Sequence, residues 1–376
     1  MPAARPGFHD QERKQEMAIE VPDIGLRLKP DLLPTAQIIY RDMCNLRPGE
    51  RVLIIADARA PDYLISVFHG VALMMGAEVS VIETQVPRGG ATYQPSAKWP
   101  SMVVAASTEA DLIIDFAVGY AAFIVEAIKR GARVFSPGDG IALPYTDDVL
   151  IRTILHTDVQ AIRRRAERIA ALFTKASLCT MITGDAVLKV DISGIDGFAA
   201  SGFLWDAEAQ KFIEPWAFAP PAQPGILIPE GRANGEVLVD GTLLYHPVYH
   251  AAPPTPLRLR YENGRLVDIG GDPLFAGRLR DWLEKLGDEG AYKGPVHLNL
   301  GINPNALLTQ HPEWERVMGS VTCGMGDLSL LGVLIGDAAG PLPKSAVHWD
   351  WTTLRPTILL DDVVLVREGI LNDAVC

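Results

Sequence analysis

The short motif His348-Trp349-Asp350 has the residue types and the spacing of a metal-binding pair. The residues from Ala346 to Asp350 predict a β-strand, in which residues two apart point to the same face with Cα atoms about 6.6 Å apart. The imidazole of His348 and the carboxylate of Asp350 can then reach one ion. The same spacing is common in hydrogen-bonded histidine–aspartate pairs, so the motif alone leaves both interpretations open.

A second histidine, His297, lies in the apolar stretch Gly294-Pro-Val-His-Leu-Asn-Leu of the same half of the chain. A polar imidazole in such a strand needs either a hydrogen-bond partner or a metal ion. Two histidines and one carboxylate form the ligand set of mononuclear non-haem iron(II) enzymes, which leaves coordination positions open for substrate and O₂. His297, His348 and Asp350 are therefore the candidate metal ligands.

The segment His246-Pro-Val-Tyr-His250 spaces two histidines four residues apart, as in zinc sites on helices. Pro247 and the strand pattern before it indicate an extended or turning segment instead. Metal ligation, contact with a substrate and a purely structural role all remain open for this pair.

Several common nucleotide and hydrolase motifs are missing from the sequence. The segment Ala56-Asp57-Ala58-Arg59-Ala60-Pro61 follows the first predicted strand and has no glycine where a backbone would approach a pyrophosphate. The chain also lacks a phosphate-binding P-loop, a G-x-S-x-G nucleophile elbow and an H-E-x-x-H zinc motif. These absences argue against an NAD enzyme, an ATPase and a serine hydrolase.

The bulk composition sets the class of protein and its expected surroundings. The 376 residues are 48% hydrophobic and carry a formal net charge of −12, which fits a folded protein and argues against a nucleic-acid partner. Four scattered cysteines predict neither disulfides nor a zinc knuckle. No signal peptide and no membrane-spanning run is recognisable, so we expect a cytoplasmic protein without a membrane partner.

The first half alternates strand and helix patterns. Arg51 to Ala56, Glu78 to Glu83, Ala110 to Asp115 and Arg133 to Phe135 read as buried strands, separated by helices over Pro61 to Met75 and Ala121 to Lys129. Buried strands that alternate with helices predict a parallel sheet. A long helix from Asp158 to Lys175 leads into the second half.

The second half has shorter strands with turns between them. Asn263-Gly264, between Leu257-Arg-Leu-Arg-Tyr and Arg265-Leu-Val-Asp-Ile, predicts a hairpin, and Pro273 to Leu286 predicts a helix. Later strands are expected at Val296 to Leu300, Leu328 to Ile335, Ala346 to Asp350 and Thr357 to Arg367. The fold class is therefore an N-terminal Rossmann-like α/β domain (residues 1–175) and a C-terminal α+β metal-binding domain (residues 176–376), with an antiparallel or mixed sheet in the second.

At these motifs the chain resembles the superfamily of 2,5-dihydroxypyridine 5,6-dioxygenases and thermophilic-type metalloaminopeptidases related to leucyl aminopeptidase. The resemblance covers most of the chain and is clearest from Gly225 to Asp362. The matching stretches are Gly235-Glu-Val-Leu-Val-Asp-Gly, Leu257-Arg-Leu-Arg-Tyr-Glu-Asn-Gly-Arg-Leu-Val-Asp-Ile, His297-Leu-Asn-Leu-Gly-Ile-Asn-Pro, and His348-Trp-Asp with Ile358-Leu-Leu-Asp-Asp.

The two branches of this superfamily differ in their metal ligands. The resemblance implies two ions in the aminopeptidases, held with glutamates at the positions of His297 and about Ile226 and with a histidine within Leu331-Gly-Val-Leu-Ile. This chain lacks those ligands. The dioxygenase branch implies a histidine at His297 together with His348 and Asp350, all of which are present. The resemblance thus favours one Fe(II) ion over a pair of Zn(II) or Co(II) ions.

The substrate pocket departs from the dioxygenase pattern. The resemblance implies two further pocket histidines, but the corresponding regions here are Val118-Gly-Tyr120 and Phe218 to Pro224, and neither contains a histidine. Tyr120, His246 and His250 are the candidates to replace them as catalytic groups.

The function we expect from the sequence is Fe(II)-dependent ring-opening dioxygenation of a small hydroxylated aromatic such as a dihydroxypyridine, with O₂ as co-substrate and a homo-oligomeric assembly. One alternative is a metal-dependent aminopeptidase or amide hydrolase, for which Glu230 and Glu236 are the nearby acidic candidates. A binding protein that keeps the fold without catalysis is the other.

Overall fold

The computed structural model describes residues 28–85, 98–143, 145–245, 248–250, 253–309, 313–330 and 341–376, with residues 28, 29 and 248–250 described by their backbone alone. No helix within these ranges is long and apolar enough to cross a membrane. The four cysteines lie within them and are buried free thiols.

A parallel sheet forms the core of the first half. Its central strands are almost entirely buried and mostly apolar, with helices packed against them, which confirms the expected α/β arrangement. In the described residues the sheet has five strands, in the spatial order Trp216–Ala219, Arg133–Pro137, Leu112–Asp115, Arg51–Ala56 and Glu78–Glu83.

The first of these strands comes from the second half of the sequence. Trp216–Ala219 pairs in parallel with Arg133–Pro137, beyond the boundary expected near residue 175. The chain therefore returns to the first sheet once before it completes the second half. The division into residues 1–175 and 176–376 remains a proposal.

The helices lie close to where their patterns predict them. Asp62–Met74, Ala122–Lys129, Val159–Lys175 and Pro273–Leu286 match the expected helices to within a few residues. Among the described residues, the other α-helices are Leu28–Ile38, Ser101–Ser107 and Thr146–Leu150. Leu28–Ile38 and Thr146–Leu150 continue into the π-helical turns Ile39–Met43 and Ile151–Leu155, and short 3₁₀ turns lie at Gly138–Gly140, Glu289–Tyr292 and Glu313–Arg316.

Two large antiparallel sheets account for most of the described strands of the second half, which confirms the expected antiparallel pairing. We call them the site sheet and the outer sheet. In the part of the chain that is described, the site sheet runs in the order Val248–His250, Leu243–Tyr245, His348–Thr353, Val321–Gly326, His297–Leu300, Gly225–Leu227 and Gly197–Phe198. The outer sheet runs Arg265–Gly271, Leu257–Glu262, Ala233–Val239, Ala186–Asp191, Leu178–Thr183, Thr357–Leu360, Val363–Arg367 and Ile370–Leu371, and a small ribbon pairs Trp205–Asp206 with Lys211–Phe212.

The hairpin at Asn263-Gly264 in the outer sheet forms as predicted. Both residues have positive φ, 48° and 68°, as a type I′ turn requires. Two residues of this kind between paired strands fix the register of Leu257–Glu262 against Arg265–Gly271.

One strand of the site sheet, Val321–Gly326, was not predicted from the sequence. We expected a strand from Leu328 to Ile335; Ser329 and Leu330 are instead helical, and residues 331–335 lie outside the described ranges. Val321–Gly326 lies a few residues earlier. Its two glycines weaken the β pattern, and its burial on both faces removes the polar alternation that marks an exposed strand.

Hydrogen bonds join residues 303–313 of the second half to segments that follow the parallel strands. Asn303 donates to the backbone carbonyl oxygens of Thr153 and Pro221, at 3.1 and 2.7 Å, and Arg152 bonds the Glu313 carboxylate at 3.0 Å. The loops that follow the carboxyl ends of the parallel strands thereby lie against the second half. Ligands of open parallel sheets bind at this end of the strands.

Candidate metal centre and its surroundings

His348 and Asp350 lie on the same face of one strand, as their spacing predicts. The strand His348–Thr353 is buried along its whole length. Trp349 points to the opposite face, where its indole N–H donates to the Ala291 carbonyl oxygen at 2.9 Å. The alternation of the strand therefore separates the two candidate ligands from the packing residue between them.

His297 reaches the same place from a strand two positions away in the sheet. The strand Val321–Gly326 lies between, and its Gly324 pairs with His297 on one side and with Asp350 on the other. Directly paired residues in an antiparallel sheet share a face. The three candidate ligands thus converge over one glycine.

Because Gly324 has no side chain, the imidazole rings of His297 and His348 can occupy the space above it. A Cβ added at this position would come within 2.2 Å of His297 Nε2 and 2.7 Å of His348 Cε1. Neither distance can be tolerated by real side chains. The site therefore requires the absence of a side chain at its floor, a condition that the sequence signals only as a glycine in a strand.

The ligand atoms meet at one carboxylate oxygen. Nε2 of His297 and Nε2 of His348 lie 3.0 and 3.2 Å from Oδ1 of Asp350. The three ligand atoms lie within 4.8 Å of one another, and among the described residues they are the one such group of histidine, cysteine and acidic side chains that could hold a metal ion. All three residues are at least 94% buried, so the group is shielded from bulk water.

The electrostatics keep the Asp350 carboxyl ionised, the form in which it can bind a divalent cation. Burial raises the pKa of the Asp350 carboxyl, but the charge of His348 and hydrogen bonds from both histidines outweigh it and lower the pKa below its ordinary value. Nδ1 of His297 is buried without a hydrogen-bond partner among the described residues. An ionised carboxylate and two imidazole nitrogens that lie within 4.8 Å of one another are the donors of a facial two-histidine, one-carboxylate site, so the residues fit a single ion of this kind.

Tyr120 extends from the parallel sheet toward this centre. The Asp115 carboxylate accepts hydrogen bonds from the backbone N–H groups of Ala117, Val118 and Gly119, which fixes the loop that ends at Tyr120. The tyrosine packs against the cores of both halves. Its ring makes edge contacts with Trp216 and Phe218, at centroid distances of 5.3 and 5.5 Å. An aromatic wall thus lies at the seam between the halves.

The Tyr120 hydroxyl stays protonated. Burial raises its pKa well above the ordinary value of 10, and the charges of Asp139, Glu315 and Asp350 raise it further, against Arg316. The influence of Asp350 places the hydroxyl within electrostatic reach of the metal ligands. At neutral pH this hydroxyl can donate a hydrogen bond but cannot act as a base.

The other two pocket candidates from the sequence have no described side chain. His246 lies outside the described residues. His250 ends the edge strand Val248–His250, where its backbone pairs with Leu243. Their predicted roles stay predictions.

A buried charge cluster beside the ligands was missed in the sequence. Arg316 donates to Asp139 at 2.6 Å and to Glu315 at 3.1 Å. Gln223 also donates to the Glu315 carboxylate, at 2.6 Å. Asp139 and Gln223 follow the carboxyl ends of two parallel strands, whereas Glu315 and Arg316 lie on the 3₁₀ turn Glu313–Arg316. The sequence signal was weak. Charged residues flank Trp314, but their spacing shows no periodic pattern that would distinguish a buried turn from an exposed one.

The acidic candidates for a second metal ion lie elsewhere. Glu230 pairs with Lys293 at 3.0 Å and Glu236 with Arg258 at 2.6 Å, both on the surface. Ile226, at the position where the aminopeptidases imply a glutamate, is fully buried beside Leu298. The stretch Leu331-Gly-Val-Leu-Ile, where their histidine was expected, lies outside the described ranges.

Comparison with known proteins identifies a family and a group of similar solved structures. A family model described as 2,5-dihydroxypyridine 5,6-dioxygenase matches residues 39–373. The structure of 2,5-dihydroxypyridine dioxygenase from Pseudomonas putida KT2440 is 17% identical with a TM-score of 0.74, over 92% of this chain and 98% of that chain. Wild-type AmpT from Thermus thermophilus is 16% identical with a TM-score of 0.64, over 92% of this chain and 99% of that chain. A search of curated protein sequences finds no match.

Proposed function

Because the chain belongs to the 2,5-dihydroxypyridine 5,6-dioxygenase family, we propose that it is an Fe(II)-dependent ring-opening dioxygenase of a small hydroxylated aromatic such as a dihydroxypyridine. The observation that carries the proposal is the buried group of His297, His348 and Asp350. A set of two histidines and one carboxylate holds iron while leaving positions open, which an O₂-dependent reaction requires.

Each part of the site has a task in this proposal. His297, His348 and Asp350 would hold the ion, and Asp350 would offset part of its charge. A bound Fe(II) supplies open coordination positions and the electron transfer to O₂ that ring opening requires. Burial of all three ligands excludes water, which strengthens every electrostatic interaction in the site.

The aromatic wall is suited to contact with a planar substrate. Tyr120, Trp216 and Phe218 present ring edges and faces at the seam between the halves. Aromatic rings attract one another in edge-to-face and offset arrangements, each pair contributing about 0.5–1.5 kcal/mol beyond burial. The protonated Tyr120 hydroxyl would donate a hydrogen bond to a ring oxygen or nitrogen.

The hydrolase alternative has little support in the described residues. A two-metal aminopeptidase needs a second set of ligands, whereas Glu230 and Glu236 are engaged in surface ion pairs. The likeness to AmpT concerns the fold alone.

We further propose a cytoplasmic homo-oligomer. Four buried free thiols fit a reducing compartment. Sedimentation equilibrium of the purified protein checks the assembly, and fractionation of the native host checks the location.

The reaction is tested with labelled oxygen. We expect the iron-loaded protein to consume O₂ only when 2,5-dihydroxypyridine or a related hydroxylated aromatic is added, and to place both atoms of ¹⁸O₂ in the opened product. A hydrolase would instead take one oxygen from labelled water and would turn over without O₂. Activity under strict anaerobiosis contradicts the proposal.

A further inference from the structure

Asn299 lies two residues beyond His297 on the strand His297–Leu300 of the site sheet. Residues two apart in a strand share a face, with Cα atoms about 6.6 Å apart. On this face the imidazole of His297 lies 3.0 Å from the carboxylate of Asp350. The Asn299 side chain therefore lies on the same side of the sheet as the candidate metal ligands, without being one of them.

The register of the sheet places Asn299 at the end of a polar row beside the ligands. Thr322 pairs with Asn299 on one side and with Thr352 on the other. Directly paired residues in an antiparallel sheet share a face, and Thr352 follows Asp350 by two residues. The row thus runs across the same three strands as the ligands, one step further along them.

The threonines of this row bond one another, whereas the asparagine does not join them. The hydroxyls of Thr322 and Thr352 lie 2.9 Å apart, and Thr242 donates to Thr352 at 3.0 Å. Asn299 is 8% exposed, and its Oδ1 is buried without a hydrogen-bond partner among the described residues. A buried acceptor in this state is unfavourable unless something donates to it.

The amide of Asn299 lies over a glycine of the neighbouring strand. Gly225 pairs with Asn299 and so lies on the same face. A Cβ on Gly225 would come within 2.5 Å of Asn299 Oδ1 and 2.2 Å of the Leu298 carbonyl oxygen. The glycine therefore makes room for the amide oxygen beside the ligands, and it leaves that oxygen without a donor.

A second donor on an aromatic ring matches this arrangement. Binding sites orient small ligands with a few well-placed polar groups. The spacing of about 6.6 Å between the Cα atoms of His297 and Asn299 is comparable with the span of an aromatic ring and its substituents. A ring with one oxygen at the metal ligands can thus present a second hydroxyl or a ring N–H to Oδ1.

We propose that Oδ1 of Asn299 accepts a hydrogen bond from a second donor, a hydroxyl or a ring N–H, of an aromatic substrate held at His297, His348 and Asp350. This inference rests on the proposed function. The contact makes Asn299 a determinant of specificity, because a ring without the second donor leaves the buried oxygen unpaired.

Two ligands that differ in the second donor test the contact. 2,5-Dihydroxypyridine has it, whereas 3-hydroxypyridine keeps one hydroxyl and lacks it. Calorimetric titration of the iron-loaded protein under anaerobic conditions measures both dissociation constants. The preference for the first ligand should fall about 5–150-fold in Asn299→Leu, which keeps a similar shape without an acceptor. Asn234→Leu, on the outer sheet, is the control and should keep the wild-type preference.

The stability of the ligand-free protein separates this role from a structural one. Because Oδ1 has no partner to lose, Asn299→Leu should keep or raise the midpoint of urea denaturation. Asn303→Leu is the matched comparison, since its buried amide donates to the carbonyl oxygens of Thr153 and Pro221, and its midpoint should fall. Asn299→Ala, which cannot overpack the site, should show the same loss of preference as Asn299→Leu.

The outcomes separate the two proposals. An unchanged preference in Asn299→Leu and Asn299→Ala overturns the role of Asn299 alone, and so does a loss of stability in Asn299→Leu as large as that of Asn303→Leu. A wild type that shows the expected preference but consumes no O₂ contradicts the proposed function and supports the contact. A wild type that binds neither ligand overturns both.

Discussion

Gly324 lies directly opposite His297 in the pairing of two adjacent strands, and a Cβ on it would come within 2.2 Å of the imidazole Nε2. The same glycine pairs with Asp350 on its other side. The position of the metal ligands thus depends on a residue that contributes no ligand atom.

Replacing Gly324 with alanine should damage the metal site more than the fold. The added methyl group must displace the rings of His297 and His348, and misplacement of metal ligands costs about 10–100-fold in affinity. Equilibrium dialysis with Fe(II) or Co(II) measures the loss. Gly277→Ala is the control, since a Cβ there meets nothing within 4 Å in the helix Pro273–Leu286 and should stabilise the protein by about 1 kcal/mol. Unchanged affinity in Gly324→Ala would show that the rings tolerate the methyl group.

Arg316 should be a strong determinant of stability. Its guanidinium, 3% exposed, pairs with Asp139 and Glu315, so Arg316→Leu would leave two carboxyl groups buried without their cation. Removal of one partner from a buried ion pair costs about 3–5 kcal/mol. Urea denaturation measures this loss.

An exposed pair provides the comparison for Arg316. Arg41 pairs with Asp42 at 2.7 Å and is 66% exposed, so Arg41→Leu should cost at most about 1 kcal/mol. Equal losses in the two variants would mean that the buried cluster contributes nothing specific to folding.

The stability of the metal-free protein should fall with pH because of Glu315. Its pKa is raised from an ordinary value of 4.5 to about 8 in the folded state, so the folded protein holds a proton that the unfolded chain releases. The resulting stabilisation is fully present below about pH 4.5 and is lost as the pH rises through about 8. Denaturation midpoints of the wild type should therefore decline over this range relative to those of Glu315→Gln. Parallel curves for the two proteins would contradict the raised pKa.

Tyr120→Phe should have a modest effect on turnover. The variant keeps the contacts with Trp216 and Phe218 and loses only a neutral hydrogen-bond donor, a group that contributes about 0.5–1.5 kcal/mol, or up to about tenfold in kcat/KM. Since the hydroxyl stays protonated, the pH profile should keep its midpoint. A shift of that midpoint would identify Tyr120 as a titrating catalytic group.

The sequence predicted the parts of the molecule that depend on local pattern. His348 and Asp350 share a strand face because alternation in a strand is a local property, and the Asn263-Gly264 hairpin forms because those two residues adopt positive φ. His297 joined the candidate ligands because a histidine in an apolar strand needs a partner.

Contacts between distant segments were beyond the same reasoning. Val321–Gly326 is buried and rich in glycine, so neither alternation nor strand propensity marks it, and the role of Gly324 appears only once both neighbouring strands are in register. Arg316 and Asp139 meet across 177 residues, and no local pattern pairs two such charges. The return of Trp216–Ala219 to the parallel sheet is likewise a long-range event.

We propose above all that His297, His348 and Asp350 hold one Fe(II) ion. Metal content per chain tests it most directly, on protein purified anaerobically and loaded separately with Fe(II), Zn(II) and Co(II), together with His348→Ala and a control, His69→Ala, on the helix Asp62–Met74. We expect about one tightly held iron per chain in the wild type and in His69→Ala, and background levels in His348→Ala. Full iron content in His348→Ala, or two ions per chain in the wild type, would contradict the account.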